Sequence, residues 1–237
     1  MWFSTWISLE WEGAVIFQLL KVMLMQIKYT FMLPLLSNIE KNMFTYLGAP
    51  YPLQEGLIEE LTNLADYREL RPKTLLLKPG EVCKHLYFIH EGLLRCYYIR
   101  PNNNKTLDDQ EVCTQFMREN DTCVSVRSFY TQTRGKEYIQ ALEPCKLSLI
   151  SYENLEKVYR KYMDFNFNGR VLTAKYLVDW ADQLENIRML KGPERFEVLV
   201  KRDPELLGRV PQKYLASYLD ITPTSLSRML RTHRKKK

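Results

Sequence analysis

The sequence predicts an α+β chain: a β-roll of the jelly-roll type, a long helix, and a C-terminal helix-turn-helix. Three observations carry that prediction. Short strand-like runs separated by turn signals succeed one another from Thr74 to Ile150. A helical stretch then runs from about Asn168 to Leu190 with no Pro and no Gly after Gly169. The last segment reads as two short helices around a tight turn.

The chain has 237 residues, enough for two small domains or one large one. Apolar residues make up 46% and charged residues 26%, so a core can form and global disorder is excluded. The net charge is +6, and its distribution is uneven. From Arg188 to the end there are 13 Lys or Arg against five Asp or Glu, so this end carries +8 and the rest about −2. A basic end on a near-neutral body points to a polyanionic partner. The five cysteines are odd in number and contain no C-x-x-C pair, which speaks against a disulfide framework and against zinc. That usage predicts a reducing, cytoplasmic setting.

The first 42 residues stand apart. Ala14 to Leu36 is strongly apolar but is interrupted by Lys21, Gln26 and Lys28. It lacks a basic leader region and a small-residue cleavage site, and a membrane span would carry two lysines near its middle. No membrane partner is expected, and Met43 is read as the start of the first domain. Residues 1–42 are expected to be upstream translation or a dispensable arm, with a membrane-surface segment as the alternative.

The elements follow in order. Leu57, Ile58, Leu61 and Leu64 recur at helical spacing. Thr74–Leu77 is a strand, turned by Lys78-Pro79-Gly80-Glu81. Leu86–Ile89 and Leu93–Ile99 follow, separated by Glu91-Gly92, and Asn102-Asn103-Asn104 marks a polar loop. Glu111–Met117, Glu137–Leu142 and Lys146–Ile150 complete the set; no helical pattern intervenes, so the sheet is not a parallel one. Ser151 is placed to cap a helix carrying Leu155, Val158, Tyr159 and Tyr162. In the long helix, Ala174, Leu177, Ala181 and Leu184 fall three, four and three apart, the spacing of a coiled-coil seam, and Val171, Val178 and Ile187 widen it. Such a stripe packs either on the roll or on its own copy; its length, which outruns a small barrel, favours a homodimer. Gly192-Pro193 ends the helix. The domains are therefore drawn at 1–42, 43–165 (the roll), 166–191 (the dimerisation helix) and 192–237.

Function is written in Gln212 to Leu230. Leu215, Ala216 and Leu219 share one face of the first helix, and Ala216 is small where two crossing helices approach. Asp220 takes the turn position, where φ is often positive, and Ile221 fills the gap. Thr222 caps the second helix, Pro223 takes its first position, and Leu226 and Met229 return to the core. Thr224, Ser225, Ser227, Arg228 and Arg231 are left exposed. Such a helix suits the major groove of double-stranded DNA, where Arg reads guanine. Thr222 belongs to the candidate DNA-binding set as the cap, and Lys213 and the basic tail as phosphate contacts. An ordinary helical hairpin with solvated polar faces is the alternative.

With roll, long helix and this motif in order, the chain resembles the cyclic-AMP receptor protein/fumarate-nitrate regulator (Crp/Fnr) family, a member of which is a known example of the helix-turn-helix. The resemblance covers roughly Met43 to Arg231. It is carried by Lys78-Pro79-Gly80-Glu81, Leu86-Tyr-Phe-Ile-His-Glu-Gly92, and Arg209-Val-Pro-Gln-Lys-Tyr-Leu-Ala216 through Arg228, the last similar to the Bacteroidetes-type branch. It implies a cyclic-nucleotide-binding-like β-roll sensor, a dimerising helix, a winged-helix-like head, base contacts from Thr224 and Arg228, and RNA polymerase as a further partner. Little chain follows Arg231, so a wing beyond it is expected to be absent or rudimentary.

The sensor departs from the family. Its nucleotide binders carry Gly-Glu for the ribose before Arg-Ser or Arg-Thr for the phosphate. Here Thr122 to Lys136 contains no acidic residue, and the Arg-Ser slot falls on Gly135-Lys136. Cyclic-nucleotide binding of the usual kind is not expected. Arg127, Arg134 and Lys136 remain as candidate effector contacts, alternatively plain surface cations, and the effector is unidentified. No iron-sulfur cluster is expected, since no cysteine cluster lies near the N-terminus. No metal site and no catalytic residues are assigned: nucleophile-elbow, P-loop and paired-carboxylate signatures are missing. The expected function is a dimeric, sequence-specific transcription regulator controlled through the roll; the alternative is a sensor or scaffold of the same fold that binds no DNA.

Overall fold

The computed structural model describes residues 38–101 and 110–236. The apolar stretch Ala14–Leu36 and the polar loop Asn102-Asn103-Asn104 lie outside the described residues. Among the described residues no helix is long and apolar enough to cross a membrane.

The chain forms two compact units, each discontinuous in sequence. One joins the described residues up to Ala65 to Glu153–Thr173; the other joins Asp66–Tyr152 to the chain from Ala174 onward. The long helix contributes its first turns to one unit and the remainder to the other.

The first unit is helical. Helix α1 (Asn38–Leu47) runs through the boundary expected at Met43, and buries Met43 and Phe44. Helix α2 (Glu55–Leu64) buries Leu57, Ile58 and Leu61, the face its spacing predicts. Helix α4 (Tyr152–Lys161) buries Leu155 and Val158. The long helix α5 (Phe165–Met189) begins three residues before Asn168. Asn168 is buried within it, and its amide donates to the carbonyls of Leu47 at 2.7 Å and Tyr51 at 2.6 Å. A buried amide with two acceptors is stable inside a helix, so this residue does not mark the helix start.

Among the described residues of the second unit, eight strands form two four-stranded sheets with antiparallel pairings throughout. The strands are β1 (Asp66–Leu70), β2 (Leu75–Leu77), β3 (His85–Glu91), β4 (Leu94–Arg100), β5 (Gln110–Met117), β6 (Thr122–Cys123), β7 (Tyr138–Ala141) and β8 (Cys145–Ser151). One sheet has the order β1-β8-β3-β6 and the other β2-β7-β4-β5. A short helix, α3 (Val126–Thr131), follows β6. Period-two alternation supplies the core: Cys145, Leu147 and Leu149 of β8 are buried while Lys146 and Ser148 are only half so. The turn after β2 closes as its residues suggest, with the Lys78 amide donating to Glu81 Oε2 at 2.9 Å. Gly92 has φ +97°, and a Cβ there would stand 2.4 Å from the Pro144 carbonyl oxygen. Only glycine fits that bend. All five cysteines are free and buried, which suits their reading as small hydrophobes.

Two strands escape the sequence reading. Four of the five β1 residues are exposed, so Asp66–Leu70 lacks the alternation that marks a strand; its pairing with β8 makes it one. Strand β6 has only two residues.

Candidate nucleic-acid interface

Four helices complete the second unit: α6 (Gly192–Arg202), α7 (Leu206–Arg209), α8 (Gln212–Tyr218) and α9 (Pro223–Lys236). Their core gathers Phe196, Leu199, Leu206, Val210, Leu215, Ala216, Leu219, Leu226 and Leu230, together with Leu93 of the roll. The turn between α8 and α9 is built as its sequence predicts. Asp220 has φ 49°, and the Ile221 amide donates to the Ala216 carbonyl at 3.0 Å. Thr222 Oγ1 accepts from the Ser225 amide at 3.1 Å, which is an N-cap, and Pro223 opens the helix.

Helix α9 then divides into two faces. Leu226 and Leu230 are buried and Met229 is half-buried. On the other side Thr224, Ser227, Arg228 and Arg231 are all exposed, and they stand at i, i+3, i+4 and i+7. That spacing places them in one stripe along the helix. Lys213 is exposed on α8, its ammonium 4.7 Å from the Tyr214 ring centroid. Ser225 departs from expectation. It is half-buried, and its hydroxyl lies 2.9 Å from Thr222 Oγ1, so both hydroxyls serve the cap. Among the described residues no strand follows α9.

The head formed by α6–α9 is fastened to the roll by polar contacts that sequence spacing did not reveal. Arg95 of β4 is 1% exposed. Its guanidinium lies between the rings of Tyr97, at 3.9 Å, and Tyr214 of α8, at 3.6 Å. It also pairs with Glu111 at 2.8 Å and donates twice to Gln140 Oε1, at 2.9 and 2.6 Å. Ser217 of α8 bridges the backbone of β5, accepting from the Cys113 amide at 3.0 Å and donating to the Glu111 carbonyl at 2.7 Å. Arg209 of α7 binds Glu119 through two nitrogens, at 2.8 and 2.7 Å, and Glu143 through Nη2 at 2.7 Å.

The Arg209 guanidinium holds the Glu119 carboxyl down to about 2. A carboxyl depressed in the folded state stabilises the fold above its unfolded value, and that stabilisation fades as pH falls through the folded one. Arg209→Met should therefore be less stable than the wild type at neutral pH. The gap should close as denaturant midpoints are followed from pH 5 down towards pH 2. A gap independent of pH would contradict this account.

The long helix presents the other feature of interest. Tyr176 donates to Gln115 Oε1 at 2.6 Å and Gln183 to the Thr114 carbonyl at 2.7 Å, so that side of α5 faces β5. The seam residues Ala174, Leu177, Ala181 and Leu184 are exposed, Leu177 by 65% and Leu184 by 54%, and Val178, Trp180 and Ile187 are exposed beside them.

In the roll, Arg127 lies on α3, Arg134 bridges to Val82, and Lys136 precedes β7; all three are exposed. Glu137 near α3 is buried, and sequence reading did not single it out. It is 8% exposed and accepts from the Thr114 hydroxyl at 3.3 Å. Burial pushes its carboxyl above the ordinary range. The Ser128 hydroxyl is engaged with the Cys83 amide at 2.9 Å and the Thr133 carbonyl at 2.6 Å. A cyclic phosphate needs a buried cation and free donors. Around α3 the described residues place exposed cations, Arg127, Arg134 and Lys136, beside the buried Glu137 carboxyl.

Comparison with known proteins places this architecture. Residues 67–162 match the cyclic nucleotide-binding domain family. No curated protein matches. Among solved structures, FixK2 from Bradyrhizobium japonicum superimposes with a TM-score of 0.61 at 17% identity, over 73% of this chain and 85% of that one. CLP from Xanthomonas campestris, a c-di-GMP-responsive global regulator, gives 0.58 at 18% identity over 77% and 93%. A Eubacterium rectale protein assigned as a Crp/Fnr-family transcriptional regulator gives 0.58 at 16% over 78% and 85%. The chain thus has the fold of these regulators, with a cyclic nucleotide-binding-type roll and C-terminal helices.

Proposed function

We propose that the chain is a homodimeric, sequence-specific DNA-binding transcription regulator whose roll receives the controlling signal. One observation carries the reading: Thr224, Ser227, Arg228 and Arg231 form a single exposed polar stripe on a capped helix whose opposite face is buried. Such a stripe matches the width of a major groove, and the helix N-terminus faces the phosphates with its positive dipole. The exposed apolar seam of α5 supplies the dimer contact. Two copies joined there present two heads to half-sites about one DNA turn, roughly 34 Å, apart. The run Arg209–Arg228 supports placement in the Bacteroidetes-type branch. The buried carboxylate of Glu137 and the exposed positions of Arg127, Arg134 and Lys136 favour an effector other than a cyclic nucleotide held in the usual way. Contact with RNA polymerase is part of the reading.

Genome-wide selection of DNA fragments by the purified full chain tests the proposal. Recovery of a two-fold-symmetric site supports it; an unenriched pool across effector conditions favours the DNA-independent scaffold. On the selected site, Arg228→Ala should cost about 1–3 kcal/mol and relax the choice of base at one position. Replacing Lys235, Lys236 and Lys237 by Gln should weaken all sequences alike and flatten the salt dependence. Equal effects of both changes on every DNA would count against base reading by Arg228.

A further inference from the structure

The link between α5 and the head is made at one side chain that no motif singles out. Arg195, on the first turn of α6, sends its guanidinium to four backbone carbonyls. Two belong to the end of α5: Ile187 at 3.3 Å and Leu190 at 2.7 Å. Two belong to the turn between α8 and α9: Leu219 at 2.8 Å and Asp220 at 3.1 Å. The last carbonyls of a helix have no partner within it and carry the negative end of its dipole. One planar cation here satisfies the ends of two helices at once. A lysine, with three donors on a single nitrogen, cannot span both sets in this geometry.

A second contact at the same junction is independent of Arg195. A Cβ on Gly192 would lie 2.6 Å from Ile221 Cγ2, so the backbone that leaves α5 is packed directly against the turn that introduces α9. The end of the proposed dimer helix and the start of the proposed recognition helix therefore meet twice within a few residues.

We infer that Arg195 is a positioning residue that sets the angle of α9 against α5, and hence the half-site separation that a dimer accepts. The inference rests on the DNA-binding reading above and adds what decides spacing within it. Arg195 touches no base in this role; it acts through the turn.

The test uses the full chain and DNAs carrying the selected half-sites at centre-to-centre separations stepped one base pair at a time around about 10 base pairs. The wild type should show a sharp optimum, losing about tenfold in affinity two base pairs away from it. Arg195→Lys should flatten that profile to within about threefold while base preference inside each half-site is kept. Gly192→Ala should move the optimum rather than flatten it. A uniform loss at every separation, or an unchanged profile, in Arg195→Lys overturns the inference, since a merely structural role scales all separations together.

Amide hydrogen exchange without DNA provides the second arm. Arg195→Lys should lose about tenfold protection across Leu219–Ser225 while β3 and β8 keep theirs. If the wild type binds none of the DNAs, the DNA-binding reading fails and exchange alone decides this inference: unchanged protection at the turn overturns it.

Discussion

In the proposed dimeric regulator, replacing Leu177 and Leu184 by glutamate should convert dimer to monomer and remove specific DNA binding with it. Both leucines are more than half exposed in the single chain, at 65% and 54%. A second copy laid along the seam would cover what remains, twice over by symmetry. At about 25 cal/mol per Å² of apolar surface, four partly exposed leucines supply roughly 5 kcal/mol to association, close to four orders of magnitude in the dimer constant. Glutamate removes that gain and opposes like charges across the two-fold axis. Sedimentation should show the mass fall to that of one chain, and titration on the selected site should show affinity fall by at least about a hundredfold, because a lone head holds only one half-site. Thermal unfolding of the monomer should survive, since the side of α5 that bonds to β5 through Tyr176 and Gln183 is untouched. A double variant that stays dimeric would place the self-association surface elsewhere.

The second large effect lies under the stripe. Leu226 is fully buried, in one core with Leu215, Ala216, Leu219, Leu230 and Phe196. Leu226→Ala should cost about 2–5 kcal/mol, the transfer loss plus the cavity left behind. Leu226→Met, which conserves volume, should cost less than about 1.5 kcal/mol. The loss should not stay local, because that core includes Leu93 of the roll and is packed by Phe116 and Leu142. Denaturant midpoints followed separately by far-ultraviolet dichroism and tyrosine fluorescence should therefore move together. Two separated transitions would mean that head and roll unfold independently and that the shared core has little energetic weight. Arg228→Ala, one helical face away, should leave the midpoints within about 0.5 kcal/mol of the wild type. The pair distinguishes loss of the helix from loss of a base contact.

A latched head limits how a signal can act. Strand β4 turns Arg95 towards Tyr214 of α8, with the Tyr97 ring on the other side of the guanidinium and stacked on Tyr138 of β7. In the proposed regulator, a change in the roll thus reaches α8 through Arg95 of β4. It reaches α9 through the end of α5 as well, at Arg195.

Local chemistry alone determined the strands that alternate or end in glycine turns, the exposed apolar stripe of the long helix, and the helix-turn-helix down to its cap at Thr222 and its left-handed Asp220. In each of these the deciding interactions lie within a few residues along the chain: a side chain reaching a backbone amide three positions on, or a period of 2 or 3.6 that selects one face. Tertiary structure decided the rest. Strand β1 exists because β8 offers it partners; Asn168 sits mid-helix because Leu47 and Tyr51 accept its amide; Ser225 joins the cap rather than the exposed stripe. The clamps at Arg95, Arg195 and Arg209 and the buried Glu137 depend on partners far away in sequence, such as Tyr214, Leu219, Glu119 and Thr114. An arginine or glutamate looks the same in a sequence whether it meets water or four carbonyls, because its energy is set by groups that only folding brings within reach.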